Sequence, residues 1–212
     1  MKEFEYFKPK TLEEGLALFA KYGGKAKWIA GGTDVIVMIR QKTMVPDVLI
    51  SLRGIPGLDQ IKFNGSLNIG PMVTHRAIEK SEIIRKNFSA LADAVDYLGS
   101  VQIRNVATIG GNICTAAPSA DTVTPLLVLG TQVRITSRKE ERILPIEEFF
   151  KGPGETVLKP GDIAPPAPGI RDRCCSPGSS VASARLGGPG PSRSGTGRRC
   201  TGIRSTADRP RW

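Results

Sequence analysis

Apolar positions along residues 1–163 recur at two spacings, helical and alternating, and the changes between them predict a chain of mixed helices and strands. Thr11, Leu12, Glu13 and Glu14 form a capping-box signature, a threonine N-cap with a glutamate three residues on. Leu12, Leu16, Phe19 and Ala20 then recur at helical spacing, and Gly23 and Gly24 end the helix. Lys27 to Ala30 and Val45 to Leu52 read as strands, with a short apolar helix from Asp34 to Arg40 between them. Ile61 to Ile69 reads as a hairpin whose two-residue turn is Asn64 and Gly65. Thr74 is placed to cap a helix running through Lys80. Phe88, Leu91, Ala92, Val95 and Leu98 make a core-facing helical stripe that stops at Gly99. Gln132 to Thr136 and Arg142 to Leu144 form a second antiparallel pair around Ser137 to Glu140, and Ile146 to Phe150 reads as a short helix. A body of about 160 residues is long enough to bury a sizeable core.

Two glycine-centred loops interrupt this pattern. The first is Ala30, Gly31, Gly32, Thr33 and Asp34. The second is Thr108, Ile109, Gly110, Gly111 and Asn112, which continues as Ile113, Cys114, Thr115, Ala116, Ala117, Pro118, Ser119, Ala120 and Asp121. Each follows an apolar segment and precedes a helical one. Glycine lacks a Cβ, so its backbone can take positive φ and come close to a ligand. Consecutive amides in such a turn form an anion-binding concavity, and a helix N-terminus behind it adds a favourable dipole. Two such loops could grip both phosphates of a dinucleotide. A single Gly-Gly pair means only a tight turn; the second block is more informative because Asn112, Thr115, Ser119, Asp121 and Thr122 are small polar groups suited to phosphates and hydroxyls. Asp121 can also serve as N-cap of the helix that follows.

The segments at 30–34 and 108–127 resemble, in order and spacing, the two flavin-binding motifs of the FAD-binding (medium) subunit of molybdenum hydroxylases, the group of carbon monoxide, xanthine and nicotinate dehydrogenases. The resemblance runs from Phe4 to Ile163. It implies an α+β fold of the PCMH-type, with two α+β subdomains (1–55 and 56–163, joined through Arg53 to Leu58) and FAD between them. It is not the Rossmann fingerprint, since no G-x-G-x-x-G is present. The resemblance further implies that Ala30, Gly31, Gly32, Thr33, Asp34 and Val35, together with Thr108, Ile109, Gly110, Gly111 and Asn112, wrap the pyrophosphate through backbone N–H groups. Asp121 would accept hydrogen bonds from FAD hydroxyls and Thr115 would lie near the flavin or ribityl. Cys114 reads as a small buried residue rather than a redox group. The implied role is electron transfer: a large molybdenum-cofactor subunit oxidises substrate, a small subunit carries two 2Fe-2S clusters, and the FAD subunit passes electrons to NAD, a quinone or another acceptor in a heterotrimeric complex. The clusters and molybdopterin belong to the partners.

Composition divides the chain near Ile163. Residues 1–163 carry a net charge of +3 and residues 164–212 a net +7, the latter from nine Arg against two Asp with no Lys. This tail, 164–212, is crowded with Gly, Pro and Ser and lacks apolar periodicity, so it is expected to be disordered. Nothing in it resembles the third, C-terminal domain with which the family continues and which helps cover the flavin, so weakened FAD affinity and impaired assembly are expected. A basic tail could touch nucleic acid electrostatically, but with Trp212 as its one aromatic residue it offers no stacking readout. The alternative to an electron-transfer subunit is a non-catalytic remnant or assembly module that does not hold FAD. A flavin oxidase or reductase acting alone would need a substrate domain that the tail does not supply.

Other classes find no support in the pattern. There is no run of about 18 apolar residues for a membrane span and no signal-peptide h-region, which points to the cytoplasm. The single histidine, His75, opens a helix beside Arg76 and reads as a surface or capping residue. Three of the four cysteines (Cys174, Cys175 and Cys200) lie in the tail, and no C-x-x-C pair suggests zinc or an iron–sulfur cluster. The abrupt change from lysine-rich body to arginine-only tail leads to the expectation of an out-of-frame translation or of a gene truncated by an insertion, the alternative being a genuine basic tail. Translating the other two frames beyond codon 163 should restore the missing domain; if neither does, the frameshift reading fails.

Overall fold

The computed structural model describes residues 3–138 and 140–163, and the backbone of 170–171. All belong to one compact unit, Met1–Ser179. The architecture is α+β. Strand β1 (Glu5–Phe7) leads to helix α1 (Leu12–Tyr22), a 3-10 turn (Gly23–Lys25), strand β2 (Ala26–Ile29), helix α2 (Val35–Arg40) and strand β3 (Val48–Ser51). These strands form a parallel sheet in the order β1-β3-β2, with Val48 opposite both Glu5 and Ala26. Thr11 caps α1 by accepting from the Glu14 amide at 3.2 Å; the Glu14 carboxylate reaches back to the Lys10 amide, one residue short of a closed capping box. Gly23, at φ 57°, ends the helix with its N–H on the Phe19 carbonyl. Phe19 stacks on Trp28 (ring centroids 5.1 Å apart), whereas Ala20 faces solvent, against expectation, because the buried stripe runs through Gly15 and Phe19. β1 had no sequence signal beyond its aromatic residues, and β3 is shorter than Val45 to Leu52.

The chain continues through β4 (Ile61–Phe63), β5 (Ser66–Ile69), α3 (His75–Lys80), α4 (Glu82–Asn87), α5 (Ser89–Asp96), α6 (Val101–Arg104), α7 (Ile109–Thr115) and α8 (Val123–Val128). It then forms β6 (Gln132–Thr136), β7 (Glu141–Pro145), a 3-10 turn (Ile146–Glu148), β8 (Phe150–Gly152) and β9 (Glu155–Thr156). The β4–β5 hairpin is antiparallel, but Phe63 pairs with Leu67. The turn is therefore three residues, Asn64 to Ser66, closed by the Asn64 amide on the Ser66 carbonyl with Gly65 at φ 73°. β6 and β7 pair as the alternation predicts. The expected helix from Ile146 to Phe150 is one 3-10 turn, because Phe150 leaves it to pair with Thr156. One large cluster, with Ile78, Phe88, Leu91, Leu126 and Phe149 all within 2 % of full burial, joins α3, α5 and α8 to the 3-10 turn after β7. A smaller cluster brings Leu52 and Ile55 against Met72 and Ile163. A short strand, β10 (Ile170–Arg171), pairs antiparallel with β5, inside the segment expected to be disordered. The rest of 164–212 lies outside the described residues, as do Cys174, Cys175 and Cys200.

Candidate functional site

The two glycine motifs are far apart in sequence and adjacent in space. They meet because the segment leading into the second lies against the first. A Cβ on Gly31 would stand 2.3 Å from the carbonyl oxygen of Val106, so only glycine fits there. Segment 70–75 braces the same lead-in: the His75 amide donates to the Ala107 carbonyl (3.0 Å), and those of Ile109 and Gly110 donate to Val73 (3.0 Å) and Pro71 (3.1 Å). Across the gap the Thr115 hydroxyl donates to the Asp34 carboxylate at 3.2 Å.

The second motif is a helix start rather than a loop. Thr108 is the N-cap of α7 and accepts from the Gly111 amide at 3.1 Å, so Gly110 and Gly111 lie in the first turn. Asn112 completes that turn with its amide on the Thr108 carbonyl. The amides of Ile109, Gly110, Gly111 and Asn112 thus all have partners inside the protein. The first motif differs. Among the described residues, no acceptor takes the amides of Gly31, Gly32, Thr33 or Asp34. Gly32, at φ 85°, turns the chain there. α7 ends at Ala116, which holds a left-handed conformation (φ 49°) usually left to glycine.

Between the motifs lies a cavity of about 610 Å³, within the range of small-molecule sites. Ala30, Gly31, Gly32, Thr33, Asp34 and Val35 line it from one side, and Thr108, Gly110, Gly111, Asn112, Cys114 and Thr115 from the other. Ile109 is fully buried and outside the wall. Asp121 is exposed and is not part of the wall. Nor does Asp121 cap α8: Thr122 takes that position and spends its hydroxyl on the Asn112 side-chain oxygen (2.5 Å). That contact holds the Asn112 side chain, and Asn112 lines the cavity.

Several wall residues had no sequence signal pointing to a site, among them Trp28, His75, Leu98, Ile103, Leu158 and Asp162. Leu98 is held by Arg104, whose guanidinium donates to the carbonyls of Leu98 (3.1 Å) and Gly99 (3.0 Å) and to Glu79 (3.0 Å). Asp162 pairs with Arg142 at 2.8 Å and anchors the closing segment. His75 is neither a surface nor a capping group: it is completely buried, because the Thr74 cap turns it inward. Its pKa is pushed down to about 4 by burial and by the Arg104 guanidinium, against the opposing pull of Asp34.

Residues 2–165 match the family described as the FAD binding domain in molybdopterin dehydrogenase. The chain belongs to this family. It is 37% identical over 156 residues to the nicotinate dehydrogenase FAD-subunit of Eubacterium barkeri, covering 73% of this chain and 53% of that protein. It is 36% identical to the xanthine dehydrogenase FAD-binding subunit of Escherichia coli, covering 74% and 54%. Among solved structures, carbon monoxide dehydrogenase from Hydrogenophaga pseudoflava, in a form lacking the Mo-pyranopterin moiety, superposes with a TM-score of 0.74 at 29% identity, over 78% of this chain and 60% of that one. The chain spans about half the length of the curated relatives it matches.

FAD is the cofactor of this FAD-binding domain, and the cavity fits it in kind. The residues of one wall, Gly31 to Asp34, have four consecutive amides without an acceptor among the described residues, and consecutive unpaired amides can hold phosphate oxygens.

Two outcomes follow from this geometry. Gly31→Ala should cost about 3 kcal/mol, since the obstacle is backbone and cannot swing aside, whereas Gly24→Ala, with open space around it, should stay within about 0.5 kcal/mol; urea midpoints measure both. The unfolded chain's histidine takes a proton near pH 6.5, and the folded one refuses it until about pH 4. Stability therefore rises with pH across that window, and acidification through it should cost about 3 kcal/mol. The same urea series on His75→Gln should lose that slope.

Proposed function

We propose that this chain is the FAD-binding electron-transfer subunit of a molybdenum hydroxylase complex. It takes electrons from the 2Fe-2S clusters of a small subunit and passes them to an external acceptor, while a large molybdenum-cofactor subunit selects and oxidises the substrate. The observation that carries this reading is the convergence of both motifs on one cavity, with the amides of Gly31 to Asp34 unpaired.

Bound FAD supplies the chemistry of a junction, since it exchanges electrons singly or in pairs. The protein's part is to bind and orient. Gly31, Gly32, Thr33 and Asp34 donate their amides to the pyrophosphate. The second motif contributes differently: Gly110 and Gly111 keep the wall low, and Asn112 and Thr115 bring polar side chains. The hydroxyl-binding role of Asp121 is proposed on the resemblance alone, and so is the division into subdomains 1–55 and 56–163. Leu98, Ile103 and Leu158 line the same cavity with apolar surface, which suits a flat ring system. No helix among the described residues is long and apolar enough to cross a membrane, which supports a cytoplasmic complex.

Titration of FAD into the purified chain tests the reading. FAD should bind and quench tryptophan emission; Trp28→Phe should abolish most of that quenching and Trp212→Phe should preserve it, because Trp28 lines the cavity. A protein that ignores excess FAD would instead support the assembly module that holds no flavin.

A further inference from the structure

Among the described residues Arg104 is the only buried lysine or arginine. A buried charge is costly unless it is paired and hydrogen-bonded, and Arg104 meets both conditions. Its Nε donates to the Glu79 carboxylate at 3.0 Å, and its Nη1 donates to the carbonyls of Leu98 (3.1 Å) and Gly99 (3.0 Å). Nη1 carries two hydrogens, so each carbonyl can take its own. Glu79 has a second cationic partner in Arg76. Neutralising Glu79 therefore does not by itself require Arg104.

The two carbonyls belong to the turn between α5 and α6, where Gly99 holds φ 53°. Leu98 on that turn and Ile103 on α6 both line the cavity, whereas Arg104 lies outside its wall. Turn and helix are in contact: Ile103 Cγ2 stands 3.4 Å from where a Cβ of Gly99 would be. Ile103 is 41 % exposed and Leu98 is half-buried. This is apolar surface held out at the cavity edge. Ordering a loose turn of this kind on binding would cost conformational entropy, and a turn tied beforehand avoids that cost.

We infer that Arg104 is a positioning residue for the bound dinucleotide. It never touches the ligand. It fixes the turn so that Leu98, with Ile103 packed on the same turn, stands as a preformed apolar wall for a ring of the ligand. The inference rests on the FAD reading above.

FAD affinity, followed by flavin fluorescence, and urea midpoints test it together. Arg104→Met keeps the length of the side chain, removes its donors and leaves Glu79 paired with Arg76; it should bind FAD about tenfold more weakly than the parent. The same substitution in a protein that already carries Leu98→Ala and Ile103→Ala should change affinity by less than about twofold, because residues acting through one contact are not additive. Arg104→Lys keeps the charge beside Glu79 but lacks the planar fork. Its urea midpoint should stay near that of the parent while FAD still binds several-fold more weakly, a split that a purely structural role would not produce. An Arg104→Lys protein that binds FAD as the parent does would overturn the inference. So would a tenfold loss that persists when the wall is already truncated. Either result leaves the FAD reading standing, whereas a parent protein that fails to bind FAD removes both.

Discussion

A methyl group at Gly31 would meet the Val106 carbonyl at 2.3 Å, and the rest of the site depends on that close approach. It seats the first motif on the lead-in to the second. That lead-in is pinned in turn by the amides of His75, Ile109 and Gly110 on Ala107, Val73 and Pro71. Gly110 is also closely packed, with Pro71 atoms within 2.8 Å of where its Cβ would be. The glycines at these two positions serve chain-to-chain packing before they serve any ligand. With the two backbones this close, Thr115 can reach Asp34 and a single cavity opens between motifs separated by more than seventy residues.

This packing divides the work between the motifs. The second spends its amides on Thr108, Pro71 and Val73 and becomes a rigid wall. The first keeps four amides unpaired, and these are the groups proposed to take the anion. Rigidity in one and unmet hydrogen-bonding capacity in the other make a preorganised site: fixed groups await the ligand, and less ordering entropy opposes binding. The salt bridges from Arg104 to Glu79 and from Arg142 to Asp162 hold the two segments that complete the enclosure.

Local signals were legible where local physics decides. Thr11 and Thr74 cap their helices, Gly23 stops α1, and the β6–β7 alternation yields its pair. The glycine motifs stand out in the sequence by their order and spacing, and the structure brings both to one cavity. Their hydrogen bonding was not: whether an amide is free depends on segment 70–75, which approaches from another part of the chain. Asn64 and Gly65 suggested a two-residue turn, but the pairing of Phe63 with Leu67 sets three. Ala20 fits a helical stripe on paper, yet the sheet meets the helix along Gly15 and Phe19. His75 carried the least signal, since a lone histidine at a helix start is usually exposed. Its burial comes from tertiary packing around Ala107 and Arg104.

The division of labour between the motifs is tested most directly by following backbone amide resonances as FAD is added. The amides of Gly31, Gly32, Thr33 and Asp34 should shift strongly and gain protection from solvent exchange, while those of Ile109 to Asn112, already bonded within the protein, should move little. The reverse pattern, with the second motif responding and the first unaffected, would contradict the proposed mode of binding.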